Sequence, residues 1–171
     1  MPADPVISGQ QVLIFDTGPL LELVLYSAVH DLQLGLLKGQ LQFLKNVSSY
    51  QKVSEFVASF PKKTTTPHVV AEISSWIIRK TERKGQSAIW GLVYREFSSM
   101  RMDESLLKLL EMPQELVADI GAVDVSVLKL ASSFGKTKPI VLSIDSTLIA
   151  ECKRAGVNAK DLWEVIFDNN S

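Results

Sequence analysis

The chain has little cysteine, a net charge close to zero and no long uninterrupted apolar run. One of its 171 residues is a cysteine, Cys152, so no internal disulfide can form and a reducing compartment is expected. The first residues lack the basic stretch and apolar core of a secretory signal. Glu22 and His30 interrupt the longest apolar segment. We therefore expect a cytoplasmic protein with no membrane partner.

Glycine and proline are also scarce, at nine and seven residues. With 46% hydrophobic and 22% charged residues, this composition excludes collagen-like repeats and disorder. A chain of this length is typical of one domain that buries a full core without disulfides. We expect residues 1–10 to form a short polar tail and residues 11–171 to form a single domain.

The net charge of −1 hides a basic segment in the middle of the chain. Residues 60–101 carry eight basic and three acidic side chains. A local patch of this kind attracts phosphates, although a solvated helix face with Glu82 among the bases is an equal interpretation. The cations that define the segment include Lys62, Lys63, Arg79, Lys80, Arg83 and Lys84.

Apolar strands alternate with helical patterns along the chain, which predicts the α/β class with a mainly parallel sheet covered on both faces. Thr17 or Gly18 is the expected N-cap of the first helix, and Asp119 that of the helix from Ile120. Residues 31–59 hold two weaker helical patterns. The predicted strands are 12–15, around 62–66, 138–144, and one near 157–159 or 163–167. The predicted helices are 17–29, 67–80, 84–99, 104–111, 120–134 and 146–154.

Two carboxylates directly follow the most apolar predicted strands. Asp16 follows the sequence VLIF and Asp145 follows PIVLSI. Ligands of open α/β sheets bind outside the carboxyl ends of the strands, so both aspartates are candidate site residues. The alternative is that each aspartate only caps the helix that follows it.

A second pair of carboxylates lies on the apolar edges of predicted helices. Asp124 has Ile120, Val127 and Leu128 at helical spacing, and Glu72 is placed in the same way by Val69. A carboxylate on a buried helix face is costly without a partner. Each could instead be a boundary residue that reaches solvent.

Taken together, the four acids indicate a cation site. At an assumed 5 Å and an effective dielectric near 20, each pair of carboxylates repels by about 3 kcal/mol. Mg²⁺ or Mn²⁺ with oxygen ligands would offset that repulsion, whereas the chain has no Cys/His set for structural zinc. The hydroxyls of Thr17 and Ser143 could hold a water or a phosphate oxygen there, or act as ordinary caps.

The order of these motifs resembles the PIN-domain family of metal-dependent ribonucleases. The resemblance covers about residues 11–167. The VapC-like toxins of toxin–antitoxin pairs share this layout, and the chain exceeds them mainly through residues 31–60, a candidate dimer or partner surface. The matching residues are Asp16 with Thr17 after the first strand, Glu72 in the helix after the second, Gly121 with Asp124 three positions on, and Ser143-Ile144-Asp145 before Gly156.

The resemblance implies a three-layer α/β/α sandwich in which Asp16, Glu72, Asp124 and Asp145 hold Mg²⁺ or Mn²⁺ and act as the catalytic residues. The implied reaction is hydrolysis of RNA phosphodiester bonds. A homodimer is expected from the family, and an antitoxin protein would be a partner if the chain is a toxin. The alternative is a non-catalytic PIN-like module that binds RNA or a protein. A haloacid-dehalogenase-type phosphatase would need an aspartate where Gly18 stands.

Overall fold

The computed structural model describes residues 11–31, 39–105, 112–135 and 138–167. Strands and helices alternate through these residues. The strands are β1 (Val12–Phe15), β2 (Lys62–Thr65), β3 (Met102–Glu104), β4 (Ile140–Ser143) and β5 (Asn158–Asp161). The helices are α1 (Thr17–His30), α2 (Val47–Ala58), α3 (Pro67–Lys80), α4 (Arg83–Met100), α5 (Gln114–Ile120), α6 (Ala122–Ser133), α7 (Ser146–Arg154) and α8 (Leu162–Phe167).

The five strands form one parallel sheet in the order β3-β2-β1-β4-β5. Strand β1 is central, pairing Ile14 with Thr64 of β2 and with Val141 of β4. Helices cover the sheet, as the α/β prediction requires. Because all five strands run the same way, their carboxyl ends share one edge of the sheet.

The burial of β1 explains its uninterrupted apolar sequence. Leu13, Ile14 and Phe15 are fully buried, since a central parallel strand has helices on both faces. The apolar faces of α1 and α3 complete the same core through residues such as Leu20 and Ile73. This packing holds the first residue after β1 in a buried position.

Helix α6 begins two residues later than predicted, and a separate helix precedes it. Asp119 lies inside α5 and does not cap α6, so that prediction is wrong. Gly121 separates the two helices with φ of +88°, a conformation that side-chain-bearing residues rarely adopt. The N-cap of α1 is Asp16, not Thr17 or Gly18.

Other predicted elements differ from the structure in part. Strand β3 was not predicted, and it includes Glu104, where a helix over 104–111 was predicted to begin; residues 106–111 lie outside the described residues. The last strand is Asn158–Asp161, whereas residues 163–167 belong to α8. Of the two weak patterns in 31–59, α2 is present from Val47 onward. Residues 1–10, 32–38 and 168–171 are also outside the described residues.

Among the described residues, the helices include none with the length and hydropathy needed to cross a membrane.

Candidate active site

Asp16 and Asp145 lie side by side at the carboxyl edge of the sheet because β1 and β4 are neighbours. The backbone N–H of Asp16 donates to the carbonyl of Leu142 at 3.1 Å, which extends the pairing of the two strands. Both carboxylates also cap helices: Asp16 accepts from the N–H of Thr17 at 2.6 Å, and Asp145 accepts from the N–H of Thr147 at 2.6 Å. Both aspartates therefore act as caps, and the capping places them at the sheet edge.

Glu72 of α3 and Asp124 of α6 line the same cavity as Asp16 and Asp145. All four acids line one cavity of about 400 Å³ at the carboxyl edge of the sheet. Their exposure is graded: Asp16 is 5% exposed, Asp124 is half-buried, and Glu72 and Asp145 are exposed to solvent. The four acids singled out in the sequence thus come together from four separate elements.

Two hydroxyl groups orient carboxylates of this cavity. Ser143 is fully buried, and its Oγ donates to Asp16 Oδ2 at 2.6 Å while accepting from the N–H of Asp145 at 2.9 Å. Thr17 Oγ1 donates to Glu72 Oε2 at 2.6 Å. These hydroxyls were candidates to hold a water or a phosphate oxygen, but here they hold the carboxylates themselves.

Glycine allows the backbone to approach closely at Gly18. A Cβ on this residue would lie 2.4 Å from Cγ1 of Ile144, the residue between Ser143 and Asp145. The start of α1 and the end of β4 therefore pack against each other with no room for a side chain at this position. The sequence offered Gly18 only as a candidate cap, since this contact depends on two segments that lie far apart in the chain.

The acids perturb one another's protonation. Burial, followed by the charges of Asp16, Asp145 and Glu72, raises the pKa of Asp124 to about 7. Burial also raises the pKa of Asp16, with smaller contributions from Glu72 and Asp145, while hydrogen bonds from Ser143 and Thr17 oppose the rise. The cavity is therefore a site of concentrated negative charge.

Cys152 of α7 is buried near these acids but is not equipped for chemistry. Burial and the negative charges of Asp16, Asp124 and Glu151 raise the pKa of its thiol to about 12. A thiol with that pKa stays protonated at neutral pH, and Cys152 does not line the cavity. The chemistry of the cavity rests on its carboxylates.

The carboxylate oxygens of the cavity are of the kind that bind a hard divalent cation, although they do not converge on a single point. In the part of the chain that the structure describes, no three Asp, Glu, His or Cys side chains are grouped tightly enough to hold one ion as they stand. Burial and three carboxylates raise the pKa of Asp124, and among the described residues its side chain receives no hydrogen bond. The four side chains nevertheless carry the oxygen ligands that Mg²⁺ and Mn²⁺ prefer, and all four line one cavity.

The basic segment does not form one continuous surface. Lys63 is buried and donates to the carbonyl of Phe60 at 2.5 Å, and Lys62 Nζ lies 5.4 Å from the ring centroid of Phe134. Arg79 and Lys80 are exposed at the C-terminal end of α3, the helix that follows β2. A second cavity, of about 460 Å³, includes Lys63 in its lining at the opposite edge of the sheet, away from the acids.

Comparison with known proteins adds no assignment: no protein-family model matches the chain, and no curated protein matches it.

Proposed function

We propose that this chain is a Mg²⁺- or Mn²⁺-dependent endoribonuclease of the PIN-like type. The observation that supports this proposal is the convergence of four carboxylates, from the ends of β1 and β4 and from α3 and α6, on one cavity. Burial, followed by the charges of the other three acids, raises the pKa of Asp124 there, and a folded protein keeps such a cluster at a cost that a bound cation offsets.

Asp16, Glu72, Asp124 and Asp145 would hold the metal. When bound, a divalent cation lowers the pKa of a water molecule and neutralises charge on a phosphate under attack. Ser143 keeps the Asp16 carboxylate in place, and Thr17 does the same for Glu72. The exposed carboxylates of Glu72 and Asp145 lie on the open side of the cavity, where an RNA phosphate would enter.

Further parts of the proposal follow from the same resemblance. A chain of this layout would act in the cytoplasm, as a homodimer, and as the toxin of a toxin–antitoxin pair it would be held inactive by its antitoxin. These features supplement the nuclease proposal and do not support it.

The test is cleavage of a mixed pool of structured and single-stranded RNA in Mn²⁺, in Mg²⁺ and in EDTA. We expect the wild type to cleave with either metal and not in EDTA, and Asp124→Asn to lose at least about 100-fold in rate, the scale of losing one transition-state contact. Asp119→Asn is the matched control, because Asp119 is exposed on α5 and does not line the cavity. Equal activity of the two variants would refute the assignment.

The second candidate is a non-catalytic module that binds RNA or a protein. This candidate is favoured because the acids already have structural roles. Asp16 and Asp145 cap helices, and hydroxyl groups donate hydrogen bonds to Asp16 and Glu72. A chain of that kind would bind its partner equally well in EDTA and would show no metal-dependent cleavage of any RNA in the pool.

A further inference from the structure

Three aromatic side chains contact one another in series, and two of them, Trp163 and Phe167, are exposed to solvent. The ring centroids of Phe43 and Trp163 are 5.0 Å apart in an edge-on arrangement. Those of Trp163 and Phe167 are 4.9 Å apart, with their planes only 19° from parallel. Trp163 is 45% exposed and Phe167 is 63% exposed. We call Phe43, Trp163 and Phe167 the aromatic stack.

The aromatic stack begins at the same edge of the sheet as the acid cavity. In the pairing of β4 with β5, Ser143 lies opposite Asp161. Ser143 donates to Asp16 on one side, while Asp161 accepts from the N–H of Trp163 at 2.8 Å on the other. Because neighbouring strands lie about 5 Å apart, the first turn of α8 stands next to the strand end that carries Asp145.

A buried carboxylate fixes the third member of the stack. Glu22 of α1 is 4% exposed, and it accepts backbone hydrogen bonds from Gln42 at 2.8 Å, Phe43 at 3.0 Å and Leu44 at 2.9 Å. Glu22 lies about 7.5 Å along α1 from Thr17 at 1.5 Å per residue. One helix therefore positions both the Thr17 end of the acid cavity and the loop that carries Phe43.

Two lysines lie next to the segments that carry the aromatic stack. Lys45 is exposed two residues after Phe43, and Lys52 of α2 donates to the carbonyl of Ile166 in α8 at 2.8 Å. Glu164 is the acidic residue of α8 itself. Aromatic faces with cations beside them are the combination that binds single-stranded nucleic acid, through bases and phosphates respectively.

We infer that the aromatic stack is a platform on which unpaired bases of the RNA stack while a neighbouring phosphate enters the acid cavity. This inference rests on the proposed function, and it specifies the substrate as single-stranded or looped RNA. Trp163 offers the widest ring face, and Phe167 extends the surface away from the cavity. Every base has a flat aromatic face, so the platform favours unpaired bases over any particular sequence.

The test measures binding without cleavage, in EDTA and low salt. The probes are a single-stranded RNA of about 12 nucleotides, within the range of single-stranded binding sites, and an abasic ribose-phosphate strand of the same length. Trp163→Ala is expected to lower affinity for the RNA by about 5- to 150-fold and to leave affinity for the abasic strand unchanged. Trp163→Phe keeps an aromatic face and should restore most of the affinity.

The matched control is Tyr94→Ala, because Tyr94 is 70% exposed on α4, where it contacts Trp90 and not the stack. We expect this variant to bind RNA as the wild type does. The inference is overturned if the wild type shows no RNA binding, if Trp163→Ala and Tyr94→Ala bind equally well, or if Trp163→Ala abolishes self-association and not RNA binding. A different result separates the two proposals. If the wild type never cleaves RNA, but Trp163→Ala still loses affinity for RNA and not for the abasic strand, the nuclease proposal is refuted and the inference about the aromatic stack is retained.

Discussion

Asp124 is the residue at which the cost of the acid cavity is concentrated. It is half-buried, it faces three other carboxylates, and among the described residues it receives no hydrogen bond that would offset their charge. Asp16 is more deeply buried but has two donors, Ser143 and Thr17. The balance between burial and donors therefore raises the pKa of both acids: burial outweighs the two donors at Asp16, and Asp124 has no donor among the described residues.

This balance predicts the pH dependence of the metal-free protein. The pKa of Asp124 is about 7 in the fold against 3.8 in the unfolded chain, so the folded state binds the proton more tightly. The free energy of unfolding should therefore fall as the pH rises from about 4 to about 7, because over this range the carboxyl ionises in the unfolded chain but is kept protonated in the fold by burial and by the neighbouring charges. The raised pKa of Asp16 acts in the same direction. Urea denaturation in EDTA at a series of pH values measures the effect.

Asp124→Asn should flatten this dependence and raise the stability of the metal-free protein above pH 7, because it removes the charge and keeps the shape. Asp119→Asn, at an exposed position of α5, should leave the pH profile as in the wild type. If the free energy of unfolding depends on pH in the same way for the wild type and Asp124→Asn, the pKa of Asp124 is not raised in the fold.

At the scale of residues, the sequence predicted the acids but not their partners. Asp16 and Asp145 could be singled out because each follows an apolar strand, and Glu72 and Asp124 because each lies on an apolar helix edge. The hydrogen bond from Ser143 to Asp16 spans 127 positions of the chain. The hydrogen bonds from the backbone of residues 42–44 to Glu22 are tertiary contacts of the same kind. No local sequence pattern reveals either interaction.

At the scale of elements, Ser143 joins the ends of the two central strands. Its hydroxyl group donates to Asp16 after β1 and accepts from the backbone of Asp145 after β4. The caps on α1 and α7 start from those same two aspartates. Two strand ends and two helix starts therefore share one buried hydroxyl.

Ser143→Ala should destabilise the protein by about 1–3 kcal/mol, because it leaves a buried carboxylate oxygen and a backbone N–H without partners. It should also slow metal-dependent cleavage by releasing Asp16. Ser132→Ala is the control: within the described ranges the Ser132 side chain bonds only to the carbonyl of Leu128 in its own helix, and its loss should cost no more than about 0.5 kcal/mol. Equal midpoints of urea denaturation for the two variants would contradict this role of Ser143.

The elements that the sequence predicted well are those with strong local signals. An apolar run before Asp16 gave β1, and Pro67 after a run of threonines gave both β2 and the start of α3. Strand β3 has three residues, two of them acidic, and its pairing with β2 decides its conformation. The separate helix α5 was missed because the break at Gly121 depends on a positive φ, which composition does not reveal.

At the scale of the whole molecule, the parallel sheet collects acids that lie far apart in the sequence. Asp16 and Asp145 belong to adjacent strands, and α3 and α6 bring Glu72 and Asp124 to the same edge. The second cavity, with Lys63 and Arg101 in its lining, lies at the opposite edge. The four acids therefore lie apart from the bases of the second cavity, whose lining also includes Glu96, in a chain with a net charge of −1.

If the four acids bind a divalent cation, as proposed, the ion should stabilise the folded protein, and the melting temperature in Mn²⁺ measures that effect. At a concentration 100-fold above its dissociation constant, a bound ion stabilises the fold by about 2.7 kcal/mol. For a chain of this size that is a rise of roughly 5–10 °C. We predict this rise for the wild type and for Asp119→Asn, and its loss in Asp124→Asn. A melting temperature that Mn²⁺ leaves unchanged in the wild type, or raises equally in Asp124→Asn, would contradict the account.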